Sequence, residues 1–179
     1  SEYTTTYLTT VFGMSVVVAG IVATIRSYGI GIFSAPVIGK ISDKIGSYSK
    51  TVIILFVCEI ILALVLLFIP GSAGTLIPAI ITVLAFATVM YALRGIYYAT
   101  MGEAGIPVAL TGTATGIISV LGYLPDSYLN VMLGGFLDKH AGVVGFKYVF
   151  GSIIVHAVIG IILALIIMQM GKKKAKEES

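Results

Sequence analysis

Long apolar runs, most close to twenty residues, alternate with short polar breaks along almost the whole chain. An α-helix rises 1.5 Å per residue, so about 20 apolar residues match the ~30 Å hydrocarbon core of a bilayer. The pattern predicts five complete spans, at about 15–38, 51–69, 76–99, 107–133 and 148–170. A partial helix at 1–12 precedes them and a polar tail at 172–179 follows. The run at 51–69 is almost wholly aliphatic and stops at Pro70-Gly71, a pair that breaks helices. The run at 107–133 is the richest in Gly and Thr, and that at 148–170 is apolar except for Ser152, His156 and Gln169. Alternating segments of about ten residues, which a membrane barrel requires, do not appear. The expected class is all-α: a polytopic membrane helix bundle over residues 1–171.

Residues 1–12 are too short to cross a bilayer alone. Their five Thr, with Tyr3 and Tyr7, suit a helix facing a wet cavity, or a plain β-branched extension. The chain starts at Ser1, inside what reads as the tail of a helix, and is expected to be a fragment of a longer protein with its first helix truncated.

Composition agrees with the membrane reading and narrows the chemistry. The 179 residues are 58% hydrophobic and 11% charged, with a mean hydropathy of +1.08. Soluble domains carry about 25% charged residues. The net charge of +3 is spread over loops and one tail, so it offers no nucleic-acid surface. Cys58 is the only cysteine and sits in an apolar run, where packing explains it. Two His and one Cys give no metal-ligand spacing. No ATPase-type phosphate loop and no acid–base constellation stands out, so neither an enzyme nor a cofactor is expected. A coupling ion, H+ or Na+, is compatible with such a chain.

Two similar charged stretches punctuate the runs. The first is Gly39-Lys40-Ile41-Ser42-Asp43-Lys44-Ile45-Gly46, and the second, 95 residues later, is Gly134-Gly135-Phe136-Leu137-Asp138-Lys139-His140-Ala141-Gly142. Short cytoplasmic loops collect Lys and Arg. Lys172, Lys173, Lys174 and Lys176 therefore put the C-terminus inside, and counting back through five spans makes the loop at 39–50 cytoplasmic too. That orientation leaves seven Lys inside against two, Lys139 and Lys147, outside. The two charged stretches then fall on opposite faces, as an inverted 3+3 repeat predicts.

At this point the sequence resembles the C-terminal six-helix half of a major facilitator superfamily transporter. Gly39, Asp43, Lys44 and Gly46 match the family's loop signature, although Ser47-Tyr48-Ser49 replaces most of its closing basic cluster. Gly122-Tyr123-Leu124-Pro125-Asp126 is similar to the eleventh helix of bacterial members related to organic-anion and sugar-phosphate carriers. The resemblance implies a symporter or antiporter of the bacterial inner membrane, partnered by an N-terminal six-helix half. It also implies that the helices bearing Glu59 and His156 lie away from the solute path.

The residues themselves supply the candidate site. Arg26 falls at the centre of the span 15–38, where a cation costs roughly 2.5–3.5 kcal/mol on insertion scales. It reads as a lining cation for an anionic small-molecule substrate, as the partner of a coupling carboxylate, or as a structural ion pair. On a helical wheel Gly112, Thr115, Ser119, Tyr123, Asp126 and Asn130 fall within about 80° of one another. Asp126 would carry a coupling proton, pair with Arg26, or cap the segment after Pro125. The expected path is thus Arg26, Asp126, Tyr123, Ser119, Asn130, Tyr3 and Tyr7. Arg94, near a span end, is explained by snorkelling. Glu59 is explained as a protonated structural group.

Gly31, Ala35 and Gly39 form a small-residue stripe that lets another helix approach. Residues 39–46 are expected to form a gating loop, with Gly39, Asp43, Lys44 and Gly46 as its key positions. Asp43 is either a latch docking at the helix start marked by Pro107 or a solvated turn residue. The functional expectation is alternating-access transport of a small organic anion; the competing one is a non-transporting sensor or assembly subunit.

Overall fold

The computed structural model describes residues 2–140 and 142–177, with the side chains at 2, 73, 121–123, 125–127 and 174–177 outside the description. Every regular element among the described residues is helical: α1 (Glu2–Phe12), α2 (Val16–Thr24), α3 (Gly31–Ile45), α4 (Tyr48–Phe68), α5 (Leu76–Ile96), α6 (Thr100–Glu103), α7 (Thr111–Lys139) and α8 (Val143–Glu177). A π turn, Ile25–Ile30, joins α2 to α3, so the chain is helical without a break from Val16 to Ile45.

Among the described residues, four helical stretches are long and apolar enough to cross a membrane: Val16–Ile45, Tyr48–Phe68, Leu76–Glu103 and Val143–Lys173. The expected span at 107–133 corresponds to α7, whose apolar stretch among the described residues covers only Val108–Val120. Large apolar side chains face outward along these helices; Phe33 is 69% exposed and Phe68 74%. In water such a surface would be one contiguous sticky patch, whereas in lipid it is the favourable face.

The helix ends follow from local chemistry. At the start of α4, Ser47 is the N-cap and its Oγ accepts from Lys50 N at 3.2 Å. Its far end comes at Ile69, which is held extended (ψ 127°) ahead of Pro70. Helix α3 runs through the charged stretch and stops at Gly46, whose φ of +70° is left-handed and suits a residue without Cβ. Residues 39–45 are therefore the last two turns of a helix, not a loop. The second copy ends differently: α7 runs to Lys139, its C-cap His140 is extended (φ −130°, ψ 97°), and Gly142, at φ +68°, stands directly before α8.

Each copy places a Lys in the last helical turn, favourable to the helix dipole, but only the first is closed by a left-handed Gly at its C-cap. Among the described residues four candidate spans are identified, against the five complete spans expected, and the inverted six-helix arrangement is not established. The polar tail continues the last helix, with α8 running to Glu177.

Helix α4 packs against α5 and α8, α5 against α3, and α7 against α8. The small-residue stripe works in part. A Cβ on Gly95 of α5 would stand 2.8 Å from the Ala35 methyl, and Gly31 faces the ring of Tyr91. Gly39 has nothing near it and takes no part. On the α4–α8 side, the ring of Phe56 fills the space over Gly160.

Helix α1 is fixed by a core of aromatic rings. Tyr7 meets Phe12, Phe146 and Phe150 edge-on, with centroids 5.0–5.3 Å apart. Its hydroxyl donates to Leu66 O at 2.6 Å. That carbonyl lies four residues before Pro70, which has no N–H to give it, so Tyr7 supplies the hydrogen bond the helix lacks.

Candidate functional site

A cavity of about 170 Å³ lies among α1, the π turn, α4, α5, α7 and α8. Its polar and charged lining comes from Tyr3, Thr4, Arg26, Glu59, Arg94 and Asn130. A second cavity, about 470 Å³, adjoins it and adds Tyr97, Tyr98, Ser152 and His156. Glu59, Met90, Arg94, Leu129, Leu133 and Ile153 line both, so the two lie side by side, and they are called the passage below.

Arg26 is positioned by the π turn, a backbone form that recurs at functional sites. It lies ten residues into the span that starts at Val16, roughly 15 Å along the helix axis and so near the bilayer centre. The side chain is only 7% exposed, and its Nη1 donates to Thr4 Oγ1 at 2.6 Å. Thr4 in turn is buried in α1. The Thr-rich start of the chain therefore contributes a hydroxyl to the guanidinium.

Glu59 is 5% exposed and sits near the middle of the aliphatic helix α4. A buried ionisable group at such depth marks a functional site by default. That signal was present in the sequence, and only the family resemblance argued against it. Arg94 lies nine residues before Glu103, where its helical stretch ends. It faces the passage from α5.

His156 joins the second cavity from α8. Its Nδ1 lies 2.7 Å from Ser152 O; a carbonyl only accepts, so Nδ1 carries the hydrogen. In the neutral ring Nε2 is then an acceptor, 3.4 Å from the Tyr128 hydroxyl.

The expected path residues divide. Arg26, Tyr3 and Asn130 are brought together on the first cavity, where the Tyr3 hydroxyl donates to Asn130 O at 2.7 Å. Tyr7 is not on the path; it is 2% exposed and belongs to the aromatic core. Ser119 hydrogen-bonds to the hydroxyl of Tyr98 at 2.7 Å, beside the second cavity rather than the first. The side chains of Tyr123 and Asp126 lie outside the described residues. Gly112, on the expected polar stripe, has open space where a Cβ would stand.

The gating positions change character too. Asp43 and Lys44 are exposed on the last turn of α3, and Asp43 Oδ1 accepts from the Tyr48 hydroxyl at 2.9 Å. Pro107 precedes a 3-10 turn, Val108–Leu110, and does not open α7 directly.

The carboxylate that holds a helix start at this face is Glu103. It accepts from Tyr48 N, from Ser49 N at 3.0 Å and from Ser47 Oγ at 3.3 Å. With Lys50 N bound to Ser47 Oγ, the first three amides of α4 all have partners. Glu103 thereby ties α6 to α4, the role the sequence reading gave to Asp43 at another helix. No spacing signal in the sequence could have found it.

Comparison with known proteins fixes the class and removes the expected family. The chain is 27% identical over 172 residues to inner membrane protein YihN of Escherichia coli K12, covering 96% of this chain and 41% of that relative. It is 32% identical over 139 residues to inner membrane protein YqcE of the same organism, covering 76% of this chain and 33% of that relative. No family model matches, and no solved structure matches. The expected placement in the major facilitator superfamily is corrected accordingly: no family model supports it, and the names of these relatives state only an inner membrane protein. The chain spans about two fifths of the length of the first relative and a third of the second. It is an all-helical integral membrane protein, similar to bacterial inner membrane proteins.

Proposed function

We propose that this chain forms part of a secondary active transporter of the bacterial inner membrane, moving a small organic anion by alternating access. The observation that carries the reading is Arg26: a guanidinium at mid-span, 7% exposed, opening on a cavity that Arg94 also lines. A buried cation is costly unless something of opposite charge or strong polarity meets it. The cavity beside it, with a largely apolar wall that also carries Arg94, leaves room for a small anion, and its walls come from six helical segments. On the lysine distribution, the C-terminus and residues 39–50 face the cytoplasm.

The test is uptake of radiolabelled organic anions by cells expressing the protein, with Arg26→Gln and Arg26→Lys compared at equal membrane abundance. The reading expects uptake to fall at least tenfold for Gln, with partial recovery for Lys, given the ~1.5–3 kcal/mol of a hydrogen bond to a charged group. Uptake and affinity unchanged in Arg26→Gln would remove the anion site. Wild-type protein that moves no anion, while an interaction partner responds to it, would favour a sensor or assembly subunit.

A further inference from the structure

Glu59 is the one carboxylate among the described lining residues of the two cavities, and it lines both. It stands eleven residues beyond Tyr48 in α4, roughly 16 Å along the axis, with apolar residues on either side. Only 5% of it is exposed. Among the described residues no hydrogen bond or ion pair reaches its carboxyl group. Arg26 and Arg94 line the same cavity but are engaged elsewhere.

Neither state of this carboxyl group is satisfied by the protein. Ionised, it is a buried charge without a partner, which is costly. Neutral, it has a hydroxyl to donate and an oxygen to accept, and both are unmet. Each state therefore depends on what enters the cavities. One water needs ~10–15 Å³ of such space, well below the volumes of about 170 Å³ and 470 Å³ that Glu59 borders. Water there gives a proton a route on and off the group that a packed core lacks.

Few neighbours compete for that proton. Arg26 and Arg94 stay charged, and Tyr3, Tyr91, Tyr97 and Tyr98 belong to a type that ordinarily titrates near pH ~10. Asp43 of α3 and Glu103 of α6 sit at the start of α4, where both bind Tyr48, and Lys40 and Lys44 lie on the last turns of α3. Among the described side chains that leaves His156 of α8, on the second cavity, as the rival.

We propose that Glu59 is a proton-binding site of the passage: a proton passes from cavity water to a carboxylate oxygen and back. Proton and anion then bind together. A sphere of the first cavity's volume is about 7 Å across, so an anion inside it meets an ionised Glu59 as a near like charge. At an effective dielectric of ~20, repulsion over that distance weakens anion binding by about tenfold or more, and protonation removes it. The coupling rests on the anion-site reading of Arg26 given above; the proton site does not.

The experiment is infrared spectroscopy of the whole chain in lipid nanodiscs, titrated in H2O and in D2O. Wild type should show the C=O band of a buried protonated carboxyl group, which fades as pH rises and shifts on transfer to D2O. Glu59→Gln should lack the band and Glu59→Asp should move it, with thermal midpoints in the same nanodiscs separating lost folding from a lost proton site. Calorimetry with methanesulfonate, an organic anion that has no carboxyl band and does not titrate between acid and neutral pH, reads the coupling. Its affinity should rise about tenfold on acidification in wild type and stay at the acid level in Glu59→Gln. A band indifferent to both pH and D2O makes Glu59 a sealed structural group and overturns the proposal. So does a pH dependence that survives Glu59→Gln and disappears in His156→Gln. If Glu59 titrates but methanesulfonate binds at no pH, the anion reading falls and the proton site stands.

Discussion

Tyr7→Phe separates a structural role from a transport role at one atom. The substitution removes only the hydroxyl, which donates to Leu66 O at 2.6 Å. Tyr7 is 2% exposed and Leu66 1%, so water cannot replace the lost donor. Nor can helix α4, because the residue four positions on is Pro70. Leaving a buried acceptor unsatisfied costs about 1–3 kcal/mol, whereas side-chain hydrogen bonds within membrane bundles average nearer 0.6. The expected loss is therefore about 1 kcal/mol, with the ring contacts to Phe12, Phe146 and Phe150 kept.

The assay is reversible unfolding in mixed detergent, run as a double-mutant cycle with Pro70→Ala. Alanine restores an N–H within reach of the Leu66 carbonyl, so the cost of Tyr7→Phe should shrink in that background. Solute uptake at matched abundance should be unchanged by Tyr7→Phe. A cost below the error of the measurement, or one identical in both backgrounds, would refute the argument that Tyr7 replaces the donor Pro70 lacks.

Two further substitutions probe the frame around the passage. Glu103→Ala should destabilise the start of α4 by roughly 1–2 kcal/mol, since charged hydrogen bonds and a helix N-terminus are both given up. Hydrogen–deuterium exchange at the Tyr48 and Ser49 amides reads this directly, and unchanged protection there would contradict the clamp. Gly95→Val should cost about 1–3 kcal/mol by overpacking, because its Cβ would stand 2.8 Å from Ala35 Cβ and 3.0 Å from Ala35 Cα. Gly160→Ala should cost less, since the obstacle is the ring end of Phe56 and not backbone; equal costs in detergent unfolding would undo that distinction.

The spans at 15–38, 51–69, 76–99 and 148–170 were legible because burial in lipid demands uninterrupted apolar length, and each maps onto a crossing helix. Their ends were not. Lys40, Asp43 and Lys44 read as a loop because they are polar, yet polar residues extend a helix past the hydrocarbon until something stops it. Here the stop is Gly46. Arg26 stood out by its depth in a span, Tyr3 by the Thr- and Tyr-rich start of the chain, and Asn130 by the polar stripe on the helical wheel. Glu59 carried the same signal as Arg26 and was discounted on a resemblance that the comparisons do not support. Tyr7 and Glu103 depend on partners 59 and 54–56 residues away in sequence, and no local pattern encodes such pairings.

The central claim is that Arg26 stands in a water-reachable, positively charged passage and not in a sealed core. It is tested most directly by placing a single cysteine at Asn130, which lines the first cavity, in a Cys58→Ala background. Reaction rates are then measured with anionic and cationic water-soluble thiol reagents of equal size. The account predicts labelling of Asn130→Cys, faster with the anionic reagent, with that preference lost when Arg26→Gln is added. Phe33→Cys, on the lipid-facing side, should stay unlabelled. An Asn130→Cys as inert as Phe33→Cys, or one that prefers the cationic reagent, would contradict it.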